Sequence, residues 1–316
     1  MNVETHCHLG GCFSPQFIWD IINENGWTYL AENYNDVVKS MKFMPGEPYG
    51  FHRFLQKFTI LDHIRWDENL LDRSIKDVCD SLESHKIDYV WMRFSISKYL
   101  PFLGWHKYEV VKFIHERFNY YRPRKVGLVL ALKYESERAA QKQHAKLIER
   151  PDICGCLRGI DLVGDEAYFD QEFYRSLFKD WIKAKKTIIM HAGESQPSNN
   201  VRSAINIGAK HIAHGIKIID NKYLMDYAKD EGICFDMALT SNKLTGVWDI
   251  SEPHPIIEFL RRGIDVTIST DDPVQCSTTL DDEYRLLSTM VSKEEVDLVR
   301  RTAIVRTKKF ASEFCG

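Results

Sequence analysis

Eight short apolar runs recur along the chain, and the segments between them repeat apolar residues at helical spacing. The runs are nearly continuous in aliphatic and aromatic residues, which is typical of parallel strands buried on both faces. Strands that alternate with helices predict a parallel sheet covered by helices, and eight such units predict a closed (β/α)8 TIM barrel of the α/β class. The predicted strands are Val3–His8, Ile87–Phe94, Val126–Leu132, Ile153–Leu162, Thr187–His191, His211–Gly215, Ile233–Ala238 and Ile264–Thr270.

The segments between these strands predict helices that return the chain to the start of the next strand. We expect a single domain over residues 1–316, and a catalytic domain cut from a longer protein with a regulatory partner is an alternative. The predicted helices are Trp105–Tyr121, Glu135–Ile148, Glu172–Ala184, Val201–Ile207, Tyr223–Lys229 and Pro255–Arg261, followed by a helical region over 279–314.

Residues 13–85 form a long insertion after the first strand, with helical spacing and no strand pattern. Ser14 followed by Pro15 is a typical helix start, because serine caps the first turn and proline fits its first position. Aromatic and aliphatic residues are dense between positions 43 and 61. This segment is therefore a candidate lid over a pocket, and ordinary helical core is the alternative interpretation.

Composition narrows the class of protein. The chain is 44% hydrophobic and 28% charged, with a formal net charge of −3, so bulk attraction to a nucleic acid duplex or an anionic membrane is not expected. No apolar run reaches the roughly 20 residues that span a bilayer, and the amino terminus lacks a signal-peptide pattern. Eight scattered cysteines without a C-x-x-C pair indicate reduced core residues and a cytoplasmic protein.

Residues that bind metals or move protons follow the strands at their carboxyl ends, where barrels of this kind place their active sites. Each such residue alone is more often structural, but together they favour a metal-dependent site. Three imidazoles and one carboxylate suit Zn²⁺ or a similar divalent ion. The residues are His6 and His8 after the first strand, His191 and Glu194 after the fifth, His214 after the sixth, and Asp271 with Asp272 after the eighth.

Four short motifs occur in the order found in the adenosine deaminase family, which the chain resembles over nearly its whole length. They are His6-Cys7-His8, His191-Ala192-Gly193-Glu194, His214-Gly215 and Ser269-Thr270-Asp271-Asp272-Pro273. The segment Asp161-Leu162-Val163-Gly164-Asp165-Glu166 also resembles the family's segment after its fourth strand. The resemblance implies a metal-dependent barrel that hydrolyses the exocyclic amine of an adenine-type base. Adenosine, AMP or ATP would yield the inosine counterpart and ammonia, with one Zn²⁺ per chain.

The resemblance also implies a role for each site residue. The four metal ligands would be His6, His8, His191 and Asp271, the last of which also belongs to the catalytic set. Glu194 would protonate the ring nitrogen beside the amine-bearing carbon, and His214 would orient the water on the metal and help to deprotonate it. Asp272 would hydrogen-bond the imidazole part of the purine, and the backbone N–H of Gly164 would meet another purine nitrogen.

Gly10 departs from the family pattern H-x-H-L-D-G, because it stands where an aspartate contacts the sugar hydroxyl. Its loss removes a negative charge and leaves space and backbone N–H groups for an anion. We therefore hypothesise a substrate with phosphate on its sugar, in which Gly10 is a binding residue. Cations that follow the strands are candidates for phosphate contacts, although each alone is more often a solvated surface charge; they are Arg202, Lys217, Lys222 and Lys243.

Two further departures concern residues expected in the site region. Trp91 stands where the family often has a carboxylate, and Ala238-Leu239 stands where Cys-Pro is common. Competing hypotheses are another barrel metallohydrolase acting on phosphate esters or lactones, and a catalytically silent scaffold. The first usually needs a bridging lysine, for which no strand-end candidate is evident, and the intact polar set argues against the second.

Overall fold

The computed structural model describes residues 1–122 and 125–312. Eight parallel strands pair in chain order, which confirms the predicted (β/α)8 barrel. Each strand is followed by helix before the next one begins. The strands are β1 (Val3–His8), β2 (Tyr89–Phe94), β3 (Val126–Lys133), β4 (Leu157–Val163), β5 (Thr187–His191), β6 (His211–Ala213), β7 (Cys234–Met237) and β8 (Asp265–Ile268).

The sheet closes through backbone hydrogen bonds between β1 and the residues just after β8. The N–H of His8 donates to the carbonyl of Asp271 at 2.9 Å, and the N–H of Asp271 donates to the carbonyl of His6 at 3.0 Å. Cys7 and Asp271 therefore form a parallel bridge at the carboxyl end of the barrel. This seam brings residues of the first and last strands side by side.

Most predicted elements agree with the structure to within a few residues, and two differ. β4 begins at Leu157 rather than Ile153, because Pro151 starts a short helix that ends at Cys154. The helix predicted over Glu172–Ala184 is two helices. The last region contains helices as predicted, and Phe314 lies outside the described residues. The α-helices are Pro15–Glu24, Tyr34–Met41, Phe51–Gln56, Thr59–Asp62, Glu68–Ser84, Leu100–Leu103, Lys107–Tyr121, Arg138–Ala145, Pro151–Cys154, Gln171–Leu177, Lys179–Lys183, Asn199–Ile207, Lys222–Asp230, Leu239–Leu244, Ile256–Arg261, Pro273–Cys276, Leu280–Ser288 and Lys293–Ser312.

The insertion after β1 begins as its sequence predicts. The hydroxyl of Ser14 accepts a hydrogen bond from the N–H of Phe17, and Pro15 occupies the first turn. Phe17, Ile18 and Ile21 are buried, so this helix contributes to the core. The final helix of the insertion, Glu68–Ser84, leads directly into β2.

Trp91 and Arg93 of β2 both face the barrel interior, at different heights along the barrel axis. Trp91 stacks on Phe310 of the last helix with ring centroids 3.7 Å apart, and its indole N–H donates to Thr307 at 2.8 Å. Trp91 therefore plugs the amino end of the barrel, and the expectation that it belongs to the site region was wrong. Arg93 lies two residues further on and is fully buried.

Arg93 joins three strands through its guanidinium. Its Nε donates to Asp161 at 2.7 Å, its Nη1 to the carbonyl of Thr5 at 2.8 Å, and its Nη2 approaches Asp236 at 3.4 Å. Two carboxylates buried without a cation would be very costly, because each loses its hydration. The guanidinium therefore compensates the charge that the barrel encloses.

The sequence also predicts reduced cysteines and no membrane-spanning segment. The seven cysteines in the described part carry no disulfide, as predicted, and Cys315 lies outside it. Among the described residues, no helix combines the length and apolarity that a bilayer crossing needs.

We expect Arg93→Met to lower the free energy of unfolding by about 3–5 kcal/mol, because it leaves buried carboxylates without their partner. The control is Arg285→Met, which removes an exposed pair with Asp282 and should change stability by no more than about 0.5 kcal/mol. Urea unfolding of both variants measures the difference. Equal stability of the two variants would show that the buried pair does not hold the barrel together.

Candidate active site

Two histidines and an aspartate meet at the seam of the barrel. The Nε2 atoms of His6 and His8 are 3.1 Å apart, and each lies 3.1–3.2 Å from Oδ1 of Asp271. Alternation along β1 puts both imidazoles on the same side, as predicted. Ligands about 2.0–2.1 Å from a shared zinc ion lie roughly 3 Å apart, so this spacing fits a metal centre.

Two further imidazoles complete the cluster. The ring of His191 lies 4.8 Å from that of His6, and the ring of His214 lies 5.3 Å from it. His6, His191, His214 and Asp271 are buried and offer ligand atoms within 4.8 Å of one another. The structure thus brings together all the histidines that the strand ends predicted.

Carboxylates outside the cluster orient its members. Oδ1 of Asp161 lies 3.2 Å from Nδ1 of His191, which leaves Nε2 to face the cluster. Glu4 accepts hydrogen bonds from the N–H and hydroxyl of Thr270, so it holds the chain just before Asp271. Asp161 appeared in the sequence as part of a family-like segment, whereas Glu4 carried no signal that distinguished it.

Burial strongly affects the protonation states of the residues in the cluster. It lowers the pKa of His6 well below the usual range and lowers that of His214 to about 3, so both rings are neutral at pH 7. Burial opposes ionisation of Asp271, but the interactions of its carboxylate with His6 and its hydrogen bond to His8 outweigh burial and hold the pKa of Asp271 well below normal. Neutral imidazoles with an ionised carboxylate are the state that binds a divalent ion.

Glu194 lies beside the cluster, with Oε2 3.7 Å from Nε2 of His214. Burial and the nearby charge of Asp271 raise the pKa of Glu194 to about 8. The side chain is therefore protonated at neutral pH and can give a proton to a bound molecule. This agrees with the role that the sequence predicts for it.

The carboxylate of Glu166 holds the loop that carries Glu194. It accepts backbone N–H bonds from Gly193 at 2.6 Å, Glu194 at 2.8 Å and Ser195 at 3.0 Å. Glu166 is buried, so these bonds satisfy both the loop and the carboxylate. The sequence placed Glu166 in a family-like segment but did not indicate this function.

A chain of hydrogen bonds determines the tautomer of His214. The backbone N–H of Ile256 donates to Nδ1 of His254 at 3.1 Å, so the proton of the neutral His254 ring is on Nε2. That atom donates to Oδ1 of Asn242 at 3.2 Å, and Nδ2 of Asn242 donates to Nδ1 of His214 at 2.9 Å. His214 consequently carries its own proton on Nε2, which points toward the cluster. This arrangement favours the orienting part of its predicted role over the proton-accepting part.

Asp272 faces the same site from the seam. Its Oδ1 is buried and has no hydrogen-bond partner within the described residues. A Cβ atom at Gly11 would lie 2.0 Å from this oxygen, so only glycine fits there. Burial and the charge of Asp271 raise the pKa of Asp272 well above normal. An unpartnered, protonatable carboxyl suits a ring nitrogen of a ligand.

A cavity of about 340 Å³ opens above the cluster. It is lined by the predicted substrate contacts Gly10, Gly164 and Asp272, together with Glu194 and three of the site histidines, His8, His191 and His214. One wall is apolar and comes from the insertion; it consists of Phe51, Phe54, Leu55 and Phe58. The predicted aromatic lid region thus forms part of the cavity, although Phe43 packs on Phe54 instead of lining it.

The cations predicted to meet phosphate do not line this cavity. Lys217 donates to the carbonyl of Val247, and Lys243 lies over the ring of Tyr49. Arg202 and Lys222 are exposed on helices. Their proposed contact with a phosphate in this cavity was wrong, because a position after a strand does not decide where a long side chain points.

Two other cations, Lys98 and Lys133, line the cavity and were missed. Lys133 is the last residue of β3, and Lys98 ends the 3₁₀ turn Ile96–Lys98 that follows β2. Their positions just after strands were the available signal. This signal did not single out the two residues, because surface lysines are common at such positions.

A closed barrel with an imidazole–carboxylate cluster at its strand ends defines a TIM-barrel protein with a candidate metal centre. The family model described as Adenosine deaminase matches residues 2–307. The chain therefore belongs to the adenosine deaminase family, whose members are hydrolytic deaminases.

Known proteins resemble the chain in sequence and in fold. An adenosine deaminase of Pseudoalteromonas translucida is 27% identical over 95% of this chain and 91% of its own length. A Burkholderia ambifaria amidohydrolase with bound Zn superimposes with a TM-score of 0.83 at 18% identity, covering 96% of this chain and 84% of that one. An Arabidopsis ADAL complexed with IMP gives a TM-score of 0.82 at 18% identity, covering 99% and 92%. The two structural likenesses show the fold alone.

We expect the purified chain to bind one equivalent of Zn²⁺ and His6→Ala to weaken that binding by more than about 100-fold, since even outer partners of a metal ligand contribute 10–100-fold. Metal analysis after dialysis against a chelator buffer measures this. His85→Ala, which changes an exposed surface histidine, should bind like the parent. Equal zinc content in the two variants would remove His6 from the ligand set.

Proposed function

We propose that this protein hydrolyses the 6-amino group of an adenine nucleotide, giving the inosine counterpart and ammonia. The observation that carries the proposal is the buried Glu194 beside three histidines and Asp271 at the floor of one cavity. Membership of the deaminase family supports the reaction class. The Arabidopsis structure with IMP, a deaminated nucleotide, supports the substrate class.

The metal in this proposal is Zn²⁺, held by His6, His8, His191 and Asp271. The chemistry of this donor set fits zinc, as does the 3.1–3.2 Å spacing among His6, His8 and Asp271, and a zinc-bound protein shares the fold. A bound zinc ion would lower the pKa of a water molecule at the site toward neutrality. The hydroxyl of Ser241 donates to Oδ2 of Asp271 at 2.7 Å and keeps this carboxylate in place.

The protein side chains supply the remaining chemistry. Glu194 gives its proton to the ring nitrogen beside the amine-bearing carbon, so that the ring accepts electrons during attack. His214 donates from Nε2 to the attacking water and orients it. One proton of this water returns to Glu194, and the other goes to the amine, which leaves as ammonia. Asp272 and the N–H of Gly164 hold the purine, and the apolar wall excludes water from the reacting face.

A phosphorylated substrate fits the rim of the cavity better than a nucleoside does. Gly10 leaves open space there, since a Cβ atom at this position would meet only the ammonium of Lys98, at 3.9 Å, within 4 Å. Adenosine is the second candidate, because the bacterial relative is named for it. The two candidate substrates differ in the charge that they would bring to the rim of the cavity, because only the nucleotide carries a phosphate.

A parallel ultraviolet assay with adenine, adenosine, AMP and ATP tests the reaction and its substrate. We expect conversion of AMP with the highest kcat/KM, because the cavity offers a cation beside open space. If none of the four is deaminated by zinc-loaded protein, the proposed function is wrong. If adenosine is the best substrate, the nucleotide assignment is wrong and the deaminase assignment stands.

Replacing Glu194 with glutamine tests the proton donor. The amide keeps the shape but cannot give a proton, so kcat should fall by about 10²–10⁴-fold while zinc content stays at one equivalent. Single-turnover kinetics with metal analysis measures both quantities. Glu172→Gln, on an exposed helix surface, is the matched control and should keep full activity. A fully active Glu194 variant would exclude this residue as the acid.

A further inference from the structure

Gly10, Lys98 and Lys133 come from three adjacent strand ends and share one sector of the cavity. Gly10 follows β1, Lys98 follows β2 and Lys133 ends β3. All three line the cavity together with His191 and Glu194. The proposed zinc ligands come from β1, β5 and the segment after β8. A bound molecule can therefore contact the reactive cluster with one end and this sector with the other.

Lys98 is held in this sector by its neighbours. Ile96 and Tyr99, on either side of it, are buried, and Tyr99 contacts the ring of Trp66. The side chain of Lys98 is 20% exposed, so most of it is enclosed by protein. Burial and the charge of Lys133 lower its pKa, and Asp62 partly offsets this. The ammonium is thus an enclosed cation in a wall that also holds a second cation.

Asp62 is the present counter-ion of Lys98. Its Oδ1 lies 3.3 Å from Nζ of Lys98, and its side chain is 58% exposed. Asp62 ends the short helix Thr59–Asp62 of the insertion and lines the cavity next to the apolar wall. An exposed carboxylate loses little when it leaves its partner, because water can solvate it again. An anion bound in the cavity can therefore displace Asp62 from Lys98 at little cost in free energy.

We propose that Lys98 recognises the phosphate of a nucleoside monophosphate and that Asp62 is the counter-ion which this phosphate displaces. The inference deepens and rests on the proposed function. A monophosphate carries about −1.5 to −2 charge at pH 7, which two ammonium groups match. The carboxylates of Asp62 and Glu135 line the same cavity and oppose the larger charge of a triphosphate. The sector therefore favours AMP over both adenosine and ATP.

The test compares Lys98→Met with the parent on AMP and adenosine. A charged hydrogen bond contributes about 1.5–3 kcal/mol, so the AMP-to-adenosine ratio of kcat/KM should fall by about 10- to 100-fold, mostly through the KM for AMP. Lys222→Met removes an exposed lysine that does not line the cavity and should leave the ratio unchanged. A ratio that Lys98→Met leaves unchanged overturns the proposal.

Two further variants test the pairing. Asp62→Asn removes the competing charge and should lower the KM for AMP several-fold. Gly10→Asp places a carboxylate beside Lys98 and should shift preference toward adenosine, because it occupies the open space and repels phosphate. If Asp62→Asn raises the KM for AMP instead, Asp62 helps to bind the substrate and the displacement model is wrong.

A binding measurement separates this inference from the proposed function. Calorimetry compares IMP with inosine on the zinc-loaded parent protein and on Lys98→Met. We expect the parent to bind IMP more tightly by about 10- to 100-fold and the variant to lose that difference. Equal binding of IMP and inosine by the parent overturns the phosphate subsite even if deamination occurs. Selective IMP binding without deamination would uphold the subsite and reject the proposed reaction.

Discussion

The ion pair between Arg93 and Asp161 is the interaction on which the site depends. Asp161 accepts from Arg93 with one oxygen and orients His191 with the other, so a structural charge pair also positions a candidate ligand. Without the guanidinium, the carboxylate would be buried beside Asp236 without compensation. Arg93 thus stabilises the negative charge of Asp161, which lies next to the candidate metal centre.

Barrel topology explains why so much was predictable from the sequence. Chain order equals spatial order in this sheet, so residues after consecutive strands gather at one rim without any knowledge of side-chain contacts. His6, His191 and Asp271 were found in this way. The start of β4 was misplaced because the apolar residues Ile153 and Cys154 belong to a short helix that begins at Pro151. Apolar runs of that length do not distinguish the two structures.

The features that were missed depend on where side chains point and on which groups they meet. The three backbone bonds to Glu166 and the relay from His254 through Asn242 appear only once distant segments are adjacent. Lys98 and Lys222 look alike in the sequence, yet one lines the cavity and the other faces solvent. Strand alternation predicts faces, but it does not predict the direction of a long side chain in a turn.

The seam between β1 and the segment after β8 has a consequence for assembly of the whole barrel. His6 and Asp271 lie far apart in the sequence, and the contacts between them close the sheet into a barrel. Contacts between such distant residues carry a loop-closure entropy cost. A metal ion bound by both residues would stabilise the closed barrel. Metal occupancy and ring closure are then thermodynamically linked, so each favours the other.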